Sequence, residues 1–178
     1  EIDRAVKPTA GSDPKFVPPV PEMDKLENGL EIYVINRPNL PLVQVNLLIK
    51  SGWSAEPTNR PGLGYMTVSL LNYGTKSRTA LQISEEMKQL GAVLKTASSF
   101  DYSKVDLSVL KRNLDRAFEV MADVALNPTF PQGELDRQRS LRIQALKQED
   151  EHPIDATFKT FYRLLYGEDH PYGQSFTG

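Results

Sequence analysis

Hydrophobic and polar residues follow strand and helix periods along most of the chain. In residues 103–110 apolar side chains occupy every second position, which predicts a half-buried strand. Residues 43–50 are instead almost continuously apolar, which is typical of a strand buried on both faces. Five segments are predicted to be helices, the first two from apolar residues on one face and the others from start and stop signals such as Pro131, Asn127-Pro128 and Gly167. The predicted helices cover residues 63–72, 79–90, 114–126, 131–149 and 154–166.

Turn signals add two further strands. Asn28-Gly29 indicates a hairpin turn, because both residues tolerate positive φ, and it leads into a predicted strand at 30–35. Another strand is predicted at 92–98. The resulting order, β-β-α-α-β-β-α-α-α, predicts an α+β fold in which helices pack on one face of a mostly antiparallel sheet.

Proline distribution divides the chain into two parts. The first 22 residues contain five prolines, which interrupt strands and helices, so residues 1–22 are predicted to be an extended arm. The arm either hangs free or lies along a partner's surface. Residues 23–178 form the predicted domain. The chain reaches Gly178 without a capping strand, so we expect a domain truncated at its C-terminus.

Composition disfavours or excludes several classes of function. Apolar residues make up 39% and charged residues 25%, as in ordinary globular proteins. A net charge of -2 disfavours binding to nucleic acid, and no apolar run is long enough to cross a bilayer. Cysteine is absent, which excludes disulfides and thiolate chemistry. The start at Glu1 without Met and the proline-rich arm suit a periplasmic or secreted bacterial protein better than a mitochondrial one.

One segment resembles a known family. Residues 61–75, Pro-Gly-Leu-Gly-Tyr-Met-Thr-Val-Ser-Leu-Leu-Asn-Tyr-Gly-Thr, are similar to the zinc-helix signature of the insulinase (pitrilysin, inverzincin) peptidases, Gly-Leu-Ala-His-Phe-x-Glu-His-Met-x-Phe-x-Gly-Thr. The similarity extends over residues 23–178. Further matching segments lie at residues 26–30, 45–52, 90–92 and 170–173.

The resemblance implies a zinc site whose ligands this chain lacks. In the family, two histidines four residues apart on a helix bind zinc, a glutamate between them is the general base, and a distant glutamate completes the ligands. The matching positions here are Tyr65, Val68, Ser69 and Ala145. We therefore expect no catalytic residue, no metal ligand and no zinc cofactor. These losses favour a chain that is not an enzyme.

Histidine content agrees with that expectation. The chain has only His152 and His170, which are 18 positions apart and cannot form a helical pair. Acidic residues 149–151 beside His152 are interpreted as a solvated helix end rather than a loose metal site, and His170 is interpreted as structural. A nucleophile at Ser69 or Tyr65 would need a base within reach, which neither histidine is placed to provide.

The predicted strand at 92–98 differs from the family in a second feature, the residues that contact the substrate. Family peptidases carry an Asn-Ala pair on an edge strand that holds substrate backbone by strand addition. The matching positions are Lys95 and Thr96, followed by Ala97. These three residues are the candidates for substrate contact. Lys95 could equally protect an exposed strand edge from aggregation.

The resemblance implies three functional hypotheses. The first is a non-catalytic subunit, similar to the metal-free subunit of two-subunit bacterial proteases. It would form half of a peptide-binding chamber with a zinc-bearing homologue or with its own C-terminal half. The second is a structural or binding module unrelated to proteolysis, as in the core subunits of respiratory complexes. The third and weakest is a zinc metalloendopeptidase with a different ligand set.

Overall fold

A computed structural model describes residues 11, 13, 15–57 and 59–174. The chain divides into two compact units, residues 1–40 and 41–178. The predicted arm lies largely outside the described residues, and residues 15–21 have no regular secondary structure. Among the described helices, none combines the length and the hydropathy that a membrane span requires.

The first unit contains an antiparallel hairpin of β1 (Glu22–Lys25) and β2 (Glu31–Val34). Its turn lies at the predicted place, although only Gly29 has a positive φ, of 88°, and Asn28 does not; the Gly29 amide donates to the Leu26 carbonyl at 2.9 Å. The Leu30 amide donates to Asn28 Oδ1 at 3.0 Å. The strand before the turn was not predicted, because β1 is short and mostly charged and follows a proline-rich segment.

The second unit contains a three-stranded antiparallel sheet. Its strands are β3 (Leu42–Ile49), β4 (Val93–Ser98) and β5 (Ser103–Leu110), in the order β3-β5-β4. In the central strand, alternate residues are buried, as the sequence pattern predicts.

Burial of β3 on both faces was a wrong prediction. Val45 and Leu47 pack against the core, whereas Leu42 and Leu48 point to the opposite side and are 49% and 55% exposed. The reason is that only one face of the described sheet meets the helices that form the core, and the central strand β5 is likewise fully buried only on that face.

Five helices occupy the predicted places with small changes in their ends. They are α1 (Leu63–Leu70), α2 (Ala80–Gln89), α3 (Leu114–Leu126), α4 (Gln132–Glu151) and α5 (Pro153–Tyr166). Their order confirms the predicted α+β class, with one strand more than predicted. Helix α3 lies against β5, where Val105, Leu107 and Val109 join the buried residues of α2 and α3 in one core.

Asp123 of α3 fixes the loop between α1 and α2. The hydroxyls of Thr75 and Ser77 each donate to Asp123 Oδ2 at 2.6 Å, and Arg78 Nη1 donates to the same oxygen at 2.8 Å. Asn127 donates to Oδ1 at 3.1 Å. Burial alone would raise the pKa of Asp123, but these hydrogen bonds together hold its pKa well below the usual range. The carboxylate therefore stays charged and holds the loop to α3.

Glu56 positions the start of α1. Its two carboxylate oxygens accept hydrogen bonds from the backbone amides of Gly62 and Gly64, both at 2.7 Å. Negative charge at a helix N-terminus is favourable because free amides point towards it. A Cβ atom on Gly64 would lie 2.7 Å from Glu56 Oε1, so a larger residue there would force the end of the Glu56 side chain to move.

Substitution of Asp123 by Asn should lower the free energy of unfolding by about 2 to 4 kcal/mol at neutral pH, because four donors lose a charged acceptor. Because the pKa of Asp123 is lower in the folded than in the unfolded chain, its carboxylate stabilises the fold fully above the unfolded-state pKa of about 3.9. This stabilisation is lost as the pH falls towards the folded-state pKa. The difference between wild type and variant in urea unfolding should therefore shrink between about pH 5 and pH 2. Asp115→Asn, exposed on the same helix, is the control. Equal losses of unfolding free energy in the two variants would contradict the role of Asp123 as the acceptor that holds the loop to α3.

Glu56→Ala should fray the first turn of α1 and lower the free energy of unfolding by about 1 to 2 kcal/mol, as expected for a lost helix cap. Hydrogen exchange should accelerate at the amides of Gly62 and Gly64 before it does so elsewhere. Glu85→Ala, at an exposed position on α2, is the matched control and should leave these amides protected. Unchanged exchange at both glycines would rule out the cap.

Candidate functional site

Helix α1 carries three of the positions at which the family keeps its catalytic residues, and it contacts both β4 and α4. Val68 is only 7% exposed and belongs to the hydrophobic core. Ser69 is partly buried, and its hydroxyl donates to the Met66 carbonyl at 3.0 Å. A valine packed in the core cannot accept a proton, so no general base exists at that position.

Tyr65, at the first of these positions, faces α4. The guanidinium carbon of Arg142 lies 5.3 Å from the centre of the Tyr65 ring, within the range of a cation–π contact. Arg142 also donates to Glu149 through two nitrogens, at 2.7 and 3.0 Å. These hydrogen bonds are the main cause that lowers the pKa of Glu149. Its carboxylate therefore balances the charge of Arg142.

Ala145 lies on α4 one turn after Arg142 and is partly buried. Residues three apart on a helix share a face. The matching position of the distant glutamate is thus on the same side of α4 as Arg142. It offers a methyl group where a carboxylate would be needed.

The region where α1 meets α4 is called the α1–α4 junction below. Its residues do not fit a zinc ion. Tyr65 and Ser69 offer hydroxyls in place of imidazoles, Val68 and Ala145 offer no donor, and Arg142 brings a fixed positive charge. Within residues 15–57 and 59–174, no three His, Asp or Glu side chains come close enough to hold a metal ion. That these four positions are non-catalytic remains a prediction from the sequence.

Neither histidine forms part of a candidate centre in the described chain. His152 precedes α5, and its Nδ1 lies 3.7 Å from Asp155 Oδ2. His170 Nδ1 accepts a hydrogen bond from the Tyr172 amide at 3.1 Å, and its ring stacks on Tyr166. Both contacts are local ones at helix ends and turns.

The candidate substrate residues lie on an edge strand. Within the described sheet, β4 pairs only with β5, in a register that places Lys95 opposite Asp106, Thr96 opposite Val105 and Ala97 opposite Lys104. Lys95 and Ala97 are exposed, whereas Thr96 is partly buried. Lys104, the residue opposite Ala97, forms a 2.6 Å ion pair with Asp106.

The hydrogen-bond alternation of β4 shows which main-chain groups are turned outward. The Ser99 amide donates to the Tyr102 carbonyl at 2.7 Å, which makes this a hydrogen-bonded pair. Pairs then alternate along an antiparallel ladder, so Lys95 and Ala97 bond to β5. The amides and carbonyls of Leu94, Thr96 and Ser98 point to the open edge. This edge lies on the strand that α1 contacts.

An aromatic cluster holds the end of β4. Trp53 donates through its indole nitrogen to Ser98 Oγ at 2.7 Å, and its ring packs edge-on against Phe100. Phe100 also contacts Tyr172, whose hydroxyl donates to Asp101 Oδ1 at 2.5 Å. The loop between β4 and β5 is thereby tied to the segment after α5.

Sequence reasoning missed Arg142 and this aromatic cluster. A signal for Arg142 did exist, because it lies three residues before Ala145 on a predicted helix and shares its face. The aromatic cluster had no such signal, since it joins residues from three distant segments.

Relatives and solved structures agree with the architecture. The chain is 28% identical over 156 residues to an "Uncharacterized zinc protease" of Rickettsia felis, covering 88% of this chain and 38% of the relative. It is 25% identical over 160 residues to bovine "Cytochrome b-c1 complex subunit 1, mitochondrial", covering 90% of this chain and 33% of that subunit. The crystal structure of a "peptidase M16 inactive domain" from Pseudomonas fluorescens superposes with a TM-score of 0.84 at 24% identity, covering 89% of this chain and 38% of that one.

The chain therefore spans less than two fifths of the length of these three proteins. A family-wide sequence model described as "Insulinase (Peptidase family M16)" matches residues 31–170, which is most of the chain. On this match, the chain belongs to the insulinase family of peptidases, family M16.

Proposed function

We propose that this chain is part of a non-catalytic subunit that forms one half of a peptide-binding chamber with a zinc-bearing homologue. One observation carries the proposal: α1 lies beside an open strand edge, as a peptide site requires, yet its catalytic positions are filled by core packing and by a cation–π contact. Such a site can hold a peptide but has no group to activate water.

The open edge of β4 supports peptide binding. An extended peptide can add to a sheet edge through main-chain hydrogen bonds, whatever the side chains of the edge strand are. The outward amides and carbonyls of Leu94, Thr96 and Ser98 supply that pattern. Exposed Lys95 and Ala97 point to the sheet face opposite the core, where they can contact those side chains of an added peptide that lie on the same face.

Helix α5 supports association with more protein. Phe158, Phe161 and Leu164 are 56%, 53% and 82% exposed, and Ile154 is 62% exposed one turn earlier. A contiguous apolar surface of this kind is typical of an interaction site. It fits burial against the C-terminal half of the same protein or against a homologous subunit.

The names of the similar proteins support the same proposal. One is called an inactive domain and another a subunit of a complex. The similarity to the b-c1 complex subunit also favours the second candidate, a structural module unrelated to proteolysis. A cryptic metalloendopeptidase has no ligand set among the described residues to support it. A periplasmic or secreted location remains a proposal from the sequence.

Mixing the full-length protein with its zinc-bearing homologue should give a stable complex and should raise cleavage of peptides above that of the homologue alone. Size-exclusion chromatography and hydrolysis of a fluorogenic peptide library measure the two effects. The control is the homologue with its general-base glutamate replaced by glutamine, which should bind but not cleave. A complex without any rise in cleavage would favour the structural module, and the absence of a complex would exclude the partner role.

Thr96→Pro should weaken peptide binding by the complex by about tenfold, which corresponds to the loss of one main-chain hydrogen bond together with some steric hindrance. The substitution removes an amide that points to the open edge and leaves the bonds to β5 in place, so the sheet should tolerate it. Thr96→Ala keeps the amide and is the matched control. Fluorescence anisotropy of a labelled peptide gives the affinities, and equal affinities for the two variants would contradict strand addition.

A further inference from the structure

Arg142 is held more firmly than a surface arginine. Its side chain is only 11% exposed, it is paired with Glu149 through two nitrogens, and its guanidinium lies over the ring of Tyr65. Bidentate pairing fixes the plane of the guanidinium, and its charge persists at any physiological pH. The α1–α4 junction therefore contains a permanent cation of fixed orientation.

The guanidinium of Arg142 lies beside two of the positions at which family peptidases carry their zinc ligands. Tyr65 occupies the first histidine position of the family motif, and Ala145 occupies the distant glutamate position on the same face of α4 as Arg142. A divalent ion bound between these residues would lie within a few ångströms of the guanidinium. Repulsion between like charges at this distance in a partly buried site is strong.

The ion pair also continues to the next helix. Lys159 of α5 lies 3.6 Å from Glu149 Oε2 and 2.9 Å from Asp150 Oδ1. Glu149 is thus shared by cations from two helices. Tyr65, Arg142, Glu149 and Lys159 link α1, α4 and α5 through side chains alone.

We propose that Arg142 is a built-in cation that takes the place of the metal: it joins α4 to α1 through Tyr65, it is held in place by Glu149 of its own helix, and it excludes a divalent ion from this junction. Zinc binding is then prevented in two ways, by the missing ligand residues and by the positive charge of Arg142. Restoring the ligand residues alone does not restore zinc binding while Arg142 is present. This inference is independent of any partner subunit or peptide.

The test restores the three ligands in the full-length protein by the substitutions Tyr65→His, Ser69→His and Ala145→Glu. Val68 is left unchanged because it is part of the core. Zinc affinity is measured by isothermal titration calorimetry in this three-ligand variant and in the same variant with Arg142→Leu added. Removal of the charge should tighten zinc binding by at least about 100-fold.

Arg139→Leu, added to the three-ligand variant, is the matched control. Arg139 lies on the same helix and is 65% exposed, with Asp136 as its partner, so its loss removes the same charge away from the junction. It should leave zinc affinity unchanged. The proposal is overturned if Arg139→Leu acts as strongly as Arg142→Leu. It is also overturned if the three-ligand variant binds zinc tightly with Arg142 present, or if no zinc binds once Arg142 is removed.

A double-mutant cycle on the otherwise unchanged protein tests the link between the helices even if the three-ligand variants do not fold. Tyr65→Leu and Arg142→Leu are compared singly and together by thermal unfolding. Because the two residues are in contact, the double variant should lose less than the sum of the single losses, by about 3 °C in Tm. Additive losses would overturn the role of Arg142 as the cation that joins α1 to α4.

Discussion

The position of α1 is the constraint on which the rest of the site depends. Glu56 holds its first turn by two backbone hydrogen bonds, Val68 anchors its middle in the core, and Tyr65 meets Arg142 of α4. These contacts hold α1 both at its first turn and in its middle, which fixes its position against the core and α4. The strand edge that α1 borders, β4, is fixed at its end by Trp53 in turn.

The same contacts determine which reactions the side chains of α1 can support. A hydrolytic site needs a base, a polarising group and an open space for water, and α1 presents an aliphatic side chain and an aromatic one instead. Arg142 adds a positive charge that is held in a fixed orientation by its two hydrogen bonds to Glu149. The junction is therefore stable without a metal. The proposed function therefore rests on the main chain of β4 and on the exposed apolar row of α5.

Much of this architecture could be predicted from the sequence, because it depends on local patterns. Alternation in β5 and helical periodicity in α3 gave their bounds directly, and Asn28-Gly29 located the hairpin turn. Burial of β3 could not be predicted, since apolar composition does not report which face of a sheet other elements cover. The Arg142–Tyr65 contact joins residues 77 positions apart, so only the fold brings them together.

We propose that this chain lacks a metal centre of its own and associates with a homologue that has one. Native mass spectrometry of the purified full-length protein mixed with its zinc-bearing homologue tests both parts in one measurement. We expect a one-to-one complex with a single zinc ion, which stays with the homologue when the complex is dissociated. A zinc ion bound to this chain after dissociation, or the absence of a complex, would contradict it.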